Sequence, residues 1–281
     1  MKKIFTGVLG VIVMASCSGK NSESEKAESV SVPFKEATVY KNEDVEIRQI
    51  DEHTWHGNGH LMYNESIYII EGDSAALLLD AGTTIPGLRK IVEGIVNKPV
   101  TLIATHVHPD HTGMAINEWE SMWMNEADEV NVPAIMPDYK GEKLYLQDGQ
   151  VFDLGGRSIE VVFTPGHTPG STTFIDKEAH YGFSGDAFGS GNLLVFTTLD
   201  TVISSCDKMA SCLEENGIDK LYPGHYWGNN LETPQRIKDV ATICEGILDG
   251  SLSPIPGNNK SLPYIVDKYG VKINYGDAQV R

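Results

Sequence analysis

The sequence predicts an α+β fold in which two sheets pack together with helices outside them. Three observations carry this. Short apolar runs of strand length come in groups, each group is followed by a stretch with helical spacing, and 41% of the 281 residues are hydrophobic, enough for one sizeable core.

The first group is Ser66 to Ile70 and Ala75 to Asp80, joined by Glu71-Gly72-Asp73, which has the chemistry of a hairpin turn. Ile85, Leu88, Ile91, Val92 and Ile95 then recur near helical spacing, and Pro99 to Thr105 reads as a short buried strand. A second group follows at Val151 to Leu154, Ser158 to Phe163 and Thr172 to Ile175, with a loop from Thr164 to Gly170. A further strand ends at Gly185-Asp186, Thr201 to Asn216 reads as a helix, Ile218 to Gly228 as a strand and loop, and Thr233 to Leu248 as a helix. No internal repeat or low-complexity stretch stands after residue 36.

The first 36 residues have a different character. Lys2 and Lys3 precede an apolar run from Ile4 to about Ala15, too short for a stable membrane helix of ~20 residues, so residues 1–16 read as an export signal. Met14-Ala15-Ser16-Cys17 resembles a bacterial lipobox, which predicts an exported lipoprotein held at a membrane through a lipid on Cys17, in the periplasm or at the cell surface. Residues 17–36, rich in Ser, Glu and Lys, read as a disordered tether, and residues 37–281 as the folded domain. Beyond Cys17, Cys206, Cys212 and Cys244 are an odd number, so any disulfide leaves one thiol over.

The formal charge is −17, and dropping residues 1–16, which hold two lysines and no acid, takes it to −19. Such a chain repels nucleic acid and other polyanions and points to a small-molecule substrate. Dications in a cleft would invert the sign locally.

Residues 105–113, THVHPDHTG, hold three of the chain's nine histidines. In an extended loop residues two apart point the same way, so His106 and His108 can reach one ion. Asp110 and His111 lie past the turn favoured by Pro109 and can face a second. A catalytic site wants at least three protein ligands and an open position, so further ligands should sit at other loop tips. His167 in PGHTPG, Asp186 in SGDAFG and His225 in PGHYWG each follow a strand pattern and are flanked by Gly or Pro. Alone, each would read as a surface or core residue; together they read as a metal site. His53, His56, His60 and His180 fit no such pattern, although His56 and His60 lie in a glycine-rich stretch that could border the cleft. Phe188, Tyr226 and Trp227 neighbour the presumed ligands and are either pocket walls or packing.

The ordered set HxHxDH, Pro-Gly-His, Gly-Asp, Pro-Gly-His resembles the metallo-β-lactamase superfamily from about residue 45 to the C-terminus. The resemblance implies a four-layer αβ/βα sandwich and two divalent metal ions, zinc first, with iron or manganese as alternatives. By motif, His106, His108 and His167 would hold one ion, Asp110, His111 and His225 the other, and Asp186 would bridge them. Asp80 in LLLDAG matches a motif usually ending Asp-Thr-Gly, whose aspartate supports the ligand loop.

Two dications lower the pKa of bound water from 15.7 to about 7, so the expected reaction is attack of a bridging hydroxide on an ester, thioester, lactone or amide carbonyl, with Asp110 taking up the proton. The Thr164 to Gly170 loop is similar to those of glyoxalase II-type thioesterases and of the third subclass of true β-lactamases. Asp186 argues against the β-lactamase reading, because true lactamases of the family lack a bridging carboxylate. Glyoxalase II carries a helical C-terminal region, and here 56 residues follow His225; lactonases usually carry a tyrosine after the Gly-Asp step, where this chain has Ala187 and Phe188. A hydrolase with β-lactamase as runner-up is the resulting expectation. An iron-dependent oxidoreductase of the same fold is the alternative from another class, disfavoured because the flavodiiron type has Glu in place of His108 and the sulfur dioxygenases use a single iron.

Overall fold

The computed structural model describes residues 37–280. The export signal, Cys17 and the tether expected over residues 1–36 lie outside these residues. The described chain opens with β1 (Thr38–Lys41), β2 (Val45–Asp51), β3 (Thr54–Gly59), β4 (Ser66–Glu71) and β5 (Ala76–Leu79). After helix α1 (Leu88–Ile95) come β6 (Val100–Ile103), β7 (Ser121–Met124), the single turn α2 (Val132–Ile135) and β8 (Glu142–Tyr145). These eight strands form one sheet in chain order, antiparallel from β1 to β5 and parallel from β5 to β8. The parallel step from β5 to β6 needs a crossover, and α1 supplies it.

β9 (Val151–Asp153), β10 (Ser158–Phe163), β11 (Thr172–Asp176) and β12 (Tyr181–Gly185) then form an antiparallel meander. Beyond β13 (Asn192–Leu194), helix α3 (Leu199–Asn216) leads to β14 (Leu221–Pro223), which lies parallel to β12 and completes a second sheet of five strands. Helix α4 (Pro234–Leu248) follows, then β15 (Ile255–Pro256), β16 (Tyr264–Lys268) and β17 (Val271–Tyr275). Thr198 and Thr233 cap α3 and α4, each side chain accepting a backbone N–H of the first turn. The C-terminal strands and β13 make a third sheet of four strands, which the sequence reading did not anticipate.

Strand alternation sorts the apolar side chains into layers. From the first sheet Tyr68, Ile70, Leu77, Leu79 and Ile103 meet Ile159, Val161, Phe174 and Phe183 of the second. The opposite face of the first sheet, with Ile67, Ile69 and Leu78, packs on Leu88 and Val92 of α1. The outer face of the second is covered by Val202, Met209 and Leu213 of α3 and Val240 and Ile243 of α4, with Val271 and Ile273 of the third sheet in the same core. The order helix, sheet, sheet, helix is the expected αβ/βα sandwich. Among the described residues no helix is long and apolar enough to cross a membrane, and Cys206, Cys212 and Cys244 are free thiols.

The glycine-rich stretch around His56 forms strand β3. His56 is buried, its Nε2 lies 3.1 Å from Ser66 Oγ, and its ring packs against Tyr68 and Tyr226. Burial, with a smaller effect of the Arg48 charge, pushes its pKa down to about 3. Between the ordinary value of 6.5 and that value the unfolded chain binds a proton that the folded chain does not. The resulting stability is complete above 6.5 and drains away as the pH falls. Urea unfolding between pH 6.5 and 4.5 should therefore show a stability slope shallower in His56→Gln than in the parent by on the order of 1 kcal/mol per pH unit. Parallel slopes would remove His56 from the acid response.

Candidate metal centre

All seven predicted residues converge at one end of the two facing sheets. Thr105 to Thr112 follow β6, His167 lies between β10 and β11, Asp186 follows β12 and His225 follows β14. These strand ends come together because β5 and β6 run parallel, as do β12 and β14, and because Thr172 N–H donates to Thr105 O across the sheets at 3.0 Å. Gly185, in a left-handed conformation with φ 50°, lets the second sheet approach Thr105; a Cβ there would come within 2.6 Å of its Oγ1.

Asp80, directly after β5, organises the first loop. Its buried Oδ1 accepts Thr105 N–H at 2.7 Å; its Oδ2 accepts Thr105 Oγ1–H at 2.8 Å and lies 2.7 Å from His111 Nδ1. Thr105 Oγ1–H is thus engaged by Asp80, and the oxygen accepts from His106 Nδ1 at 3.1 Å. His167 Nδ1 donates to Leu194 O at 2.8 Å, and His225 Nδ1 to Tyr63 O at 3.1 Å. In each of these four rings the outer nitrogen is the donor, which turns Nε2 toward the common centre.

His106 Nε2 lies 3.2 Å from His108 Nδ1, which lies 2.9 Å from His167 Nε2. Asp110 Oδ2 is 3.4 Å from His225 Nε2 and 3.8 Å from His111 Nε2. Asp186 Oδ2 reaches both groups, at 3.6 Å from His167 Nε2, 3.7 Å from His111 Nε2 and 3.3 Å from His225 Nε2. Three sets of ligand atoms lie mutually within 4.8 Å: His106 with His108 and His167, His106 with His111 and Asp186, and Asp110 with His111 and His225.

Several features fit this set to cations. His111 Nε2 and Asp186 Oδ1 are buried without a hydrogen-bond partner. Zinc–nitrogen bonds of about 2.0–2.1 Å in a tetrahedron put ligand nitrogens about 3.3–3.4 Å apart, close to the spacing of the three-histidine set. Burial is the main cause that pushes the pKa values of His106, His108 and His167 down, His108 to about 3, and neighbouring rings add to it at His106 and His108. These rings are neutral, as ligands must be. At His111 and His225 burial acts in the same direction, but the surrounding carboxylates outweigh it and raise both; burial pushes Asp186 up, and the His225 and His111 rings together outweigh it and hold that carboxyl well below its ordinary value. A cation there would displace protons that now balance the carboxylates.

Three contributors escaped the sequence reading. Asp128, fully buried after β7, accepts Val107 N–H at 2.7 Å and Thr168 Oγ1–H at 2.9 Å with Oδ2, and Gly170 N–H at 2.7 Å with Oδ1. Burial pushes its carboxyl up and these donors pull against it. Phe196 stands edge-on to His108 and His167, with ring centroids at 5.6 and 5.7 Å. The carbonyl of Tyr63 aims His225. Of the three aromatic residues left open, Phe188 and Tyr226 are buried packing and Trp227 is exposed.

A family profile described as the metallo-beta-lactamase superfamily matches residues 62–225. Human acyl-coenzyme A thioesterase MBLAC2 is 25% identical over 204 residues, 57% of this chain and 72% of that protein. Hydroxyacylglutathione hydrolase GloC of Haemophilus influenzae is 28% identical over 145 residues, 44% of this chain and 66% of that protein. The structure of a metallo-β-lactamase from Pontibacter korlensis superposes with a TM-score of 0.58 at 16% identity, over 72% of this chain and 99% of that one, and so shares the fold. The chain belongs to the metallo-β-lactamase superfamily, whose members are hydrolases with metal sites, and it carries the histidine and aspartate cluster of such a site.

The glycine of the second Pro-Gly-His triplet has a steric reason: a Cβ on Gly224 would overlap Asp186 Oδ1 and come within 2.9 Å of His111 Cε1. Gly224→Ala should displace Asp186 and weaken cation binding about tenfold or more while the circular dichroism stays that of the parent. A zinc titration with a chelator as competitor checks this, and unchanged affinity would free Asp186 from the cluster.

Proposed function

We propose that the protein is a dinuclear metal-dependent hydrolase of acyl thioesters, with zinc as the cation. The observation that carries the reading is the convergence of seven side chains from four loops on one point, four of them with the outer ring nitrogen already bonded. His106, His108 and His167 would hold one ion, Asp110, His111 and His225 the second, with Asp186 between them. Divalent cations supply Lewis acidity toward a carbonyl oxygen and lower the pKa of water.

The chain's own groups do the rest. Asp80, through Thr105 and His111, keeps the first loop in one geometry. Asp110 Oδ2 faces the centre beside His225 and is placed to take the proton of the attacking water. Phe196, in contact with His108 and His167, Tyr63, whose carbonyl bonds His225, and Trp227, two residues after His225, are exposed apolar side chains at the edge of the cluster. Such a rim suits an acyl chain. MBLAC2 and GloC, by their names, act on acyl groups carried by small thiols, which supports the thioester over the other carbonyl compounds.

Zinc-loaded protein lacking residues 1–17 should hydrolyse acyl thioesters faster than an aryl ester, a lactone or nitrocefin, with kcat/KM rising as the acyl chain lengthens; a response to nitrocefin alone would install the β-lactamase reading instead. Asp110→Asn should lower kcat by about 10²–10⁴-fold and bound zinc far less. Equal turnover would take Asp110 out of the reaction.

A further inference from the structure

Two buried carboxylates brace the ligand loops at different points, and Asp80 reaches both ligand sets, His111 directly and His106 through Thr105. Asp80 bonds Thr105 and His111. Asp128, which is not a member of the cluster, bonds neither. Its Oδ2 accepts the N–H of Val107, the residue between His106 and His108, and the hydroxyl of Thr168, the residue after His167. Its Oδ1 accepts Gly170 N–H at 2.7 Å and Asn131 Nδ2–H at 3.3 Å. One side chain thereby ties the loop carrying His106 and His108 to the loop carrying His167, 40 residues further along the chain from Asp128 at the Thr168 contact.

The arrangement is built rather than incidental. Asp128 is fully buried, and removing its carboxylate would leave the Val107 and Gly170 N–H groups without acceptors in the interior. Gly170 permits the approach, because a Cβ there would come within 2.5 Å of Asp128 Cγ. His111 and His225 have independent supports in Asp80 and the Tyr63 carbonyl.

Building on the metal-centre reading above, we propose that Asp128 is a positioning residue that sets the spacing of His106, His108 and His167, and hence the affinity for one of the two cations and not the other. The carboxylate touches neither substrate nor cation; it acts through the two loop backbones.

The test uses the full chain in detergent, freed of metal and titrated with Co2+, followed by visible absorption and by competition with a chelator. The parent should show two affinities. Asp128→Asn puts an NH2 group where a backbone N–H or the Thr168 hydroxyl now donates, and should weaken one affinity by about 10–100-fold while leaving the other within about threefold. The spectrum that survives should match that of His167→Ala rather than that of His225→Ala. Thr168→Val, which removes one donor and keeps the carboxylate, should give a smaller loss at the same site, and Thr168→Ser should restore it; this pair decides the matter if Asp128→Asn does not fold. Val240→Ala, a core change in α4, should lower thermal stability with both affinities unaltered, separating positioning from general destabilisation. Parent-like affinities in Asp128→Asn, or equal losses at both sites, would overturn the inference alone. A parent chain that takes up no Co2+ would overturn it together with the metal-centre reading.

Discussion

A histidine ring has two nitrogens, and the fold bonds one so that the other is aimed. His106 through Thr105, His111 through Asp80, His167 through the Leu194 carbonyl and His225 through the Tyr63 carbonyl all follow this rule. Each bond fixes both the tautomer and the rotation of a ring about its own axis. Four rings aimed in this way create a point where lone pairs crowd, and crowded lone pairs in a buried site are stable only with positive charge among them. The strand ends, the glycines at 185 and 224, and the junction at Thr105 all serve to let these bonds form.

How much of this was legible follows from where the information lies along the chain. All seven cluster residues stand beside glycine or in the tight HxHxDH stretch, so local sequence marks them. The hairpin around Gly72, strands β10 to β12 and helices α3 and α4 have regular apolar spacing and are legible to within a residue or two, whereas helix α1 begins three residues after Ile85, where its spacing starts. Strand β3 is not legible, because Gly57, Gly59 and a buried histidine look like loop chemistry until β2 and β4 flank them. The third sheet was missed because β15 has two residues and β13 three, too short to show a period. Asp128 sits among other acids in NEADEV and is distinguished only by the two distant loops it joins. The Tyr63 and Leu194 carbonyls carry no sequence signature, since every residue has one.

The chemistry of the rim and that of the cluster pull in different directions. Tyr63, Phe196 and Trp227 put apolar surface at its edge, whereas the chain as a whole bears −17 and disfavours polyanions.

The junction at Thr105 has a thermodynamic corollary. The cluster draws His106, His108, Asp110 and His111 from one sheet's loops and His167, Asp186 and His225 from the other's. A cation bound among them is a rivet through both halves of the sandwich, and mass action makes its binding energy part of the energy that keeps the halves together. If the cluster holds a cation, chelation would loosen the sandwich at this end first and would lower the stability of the whole fold.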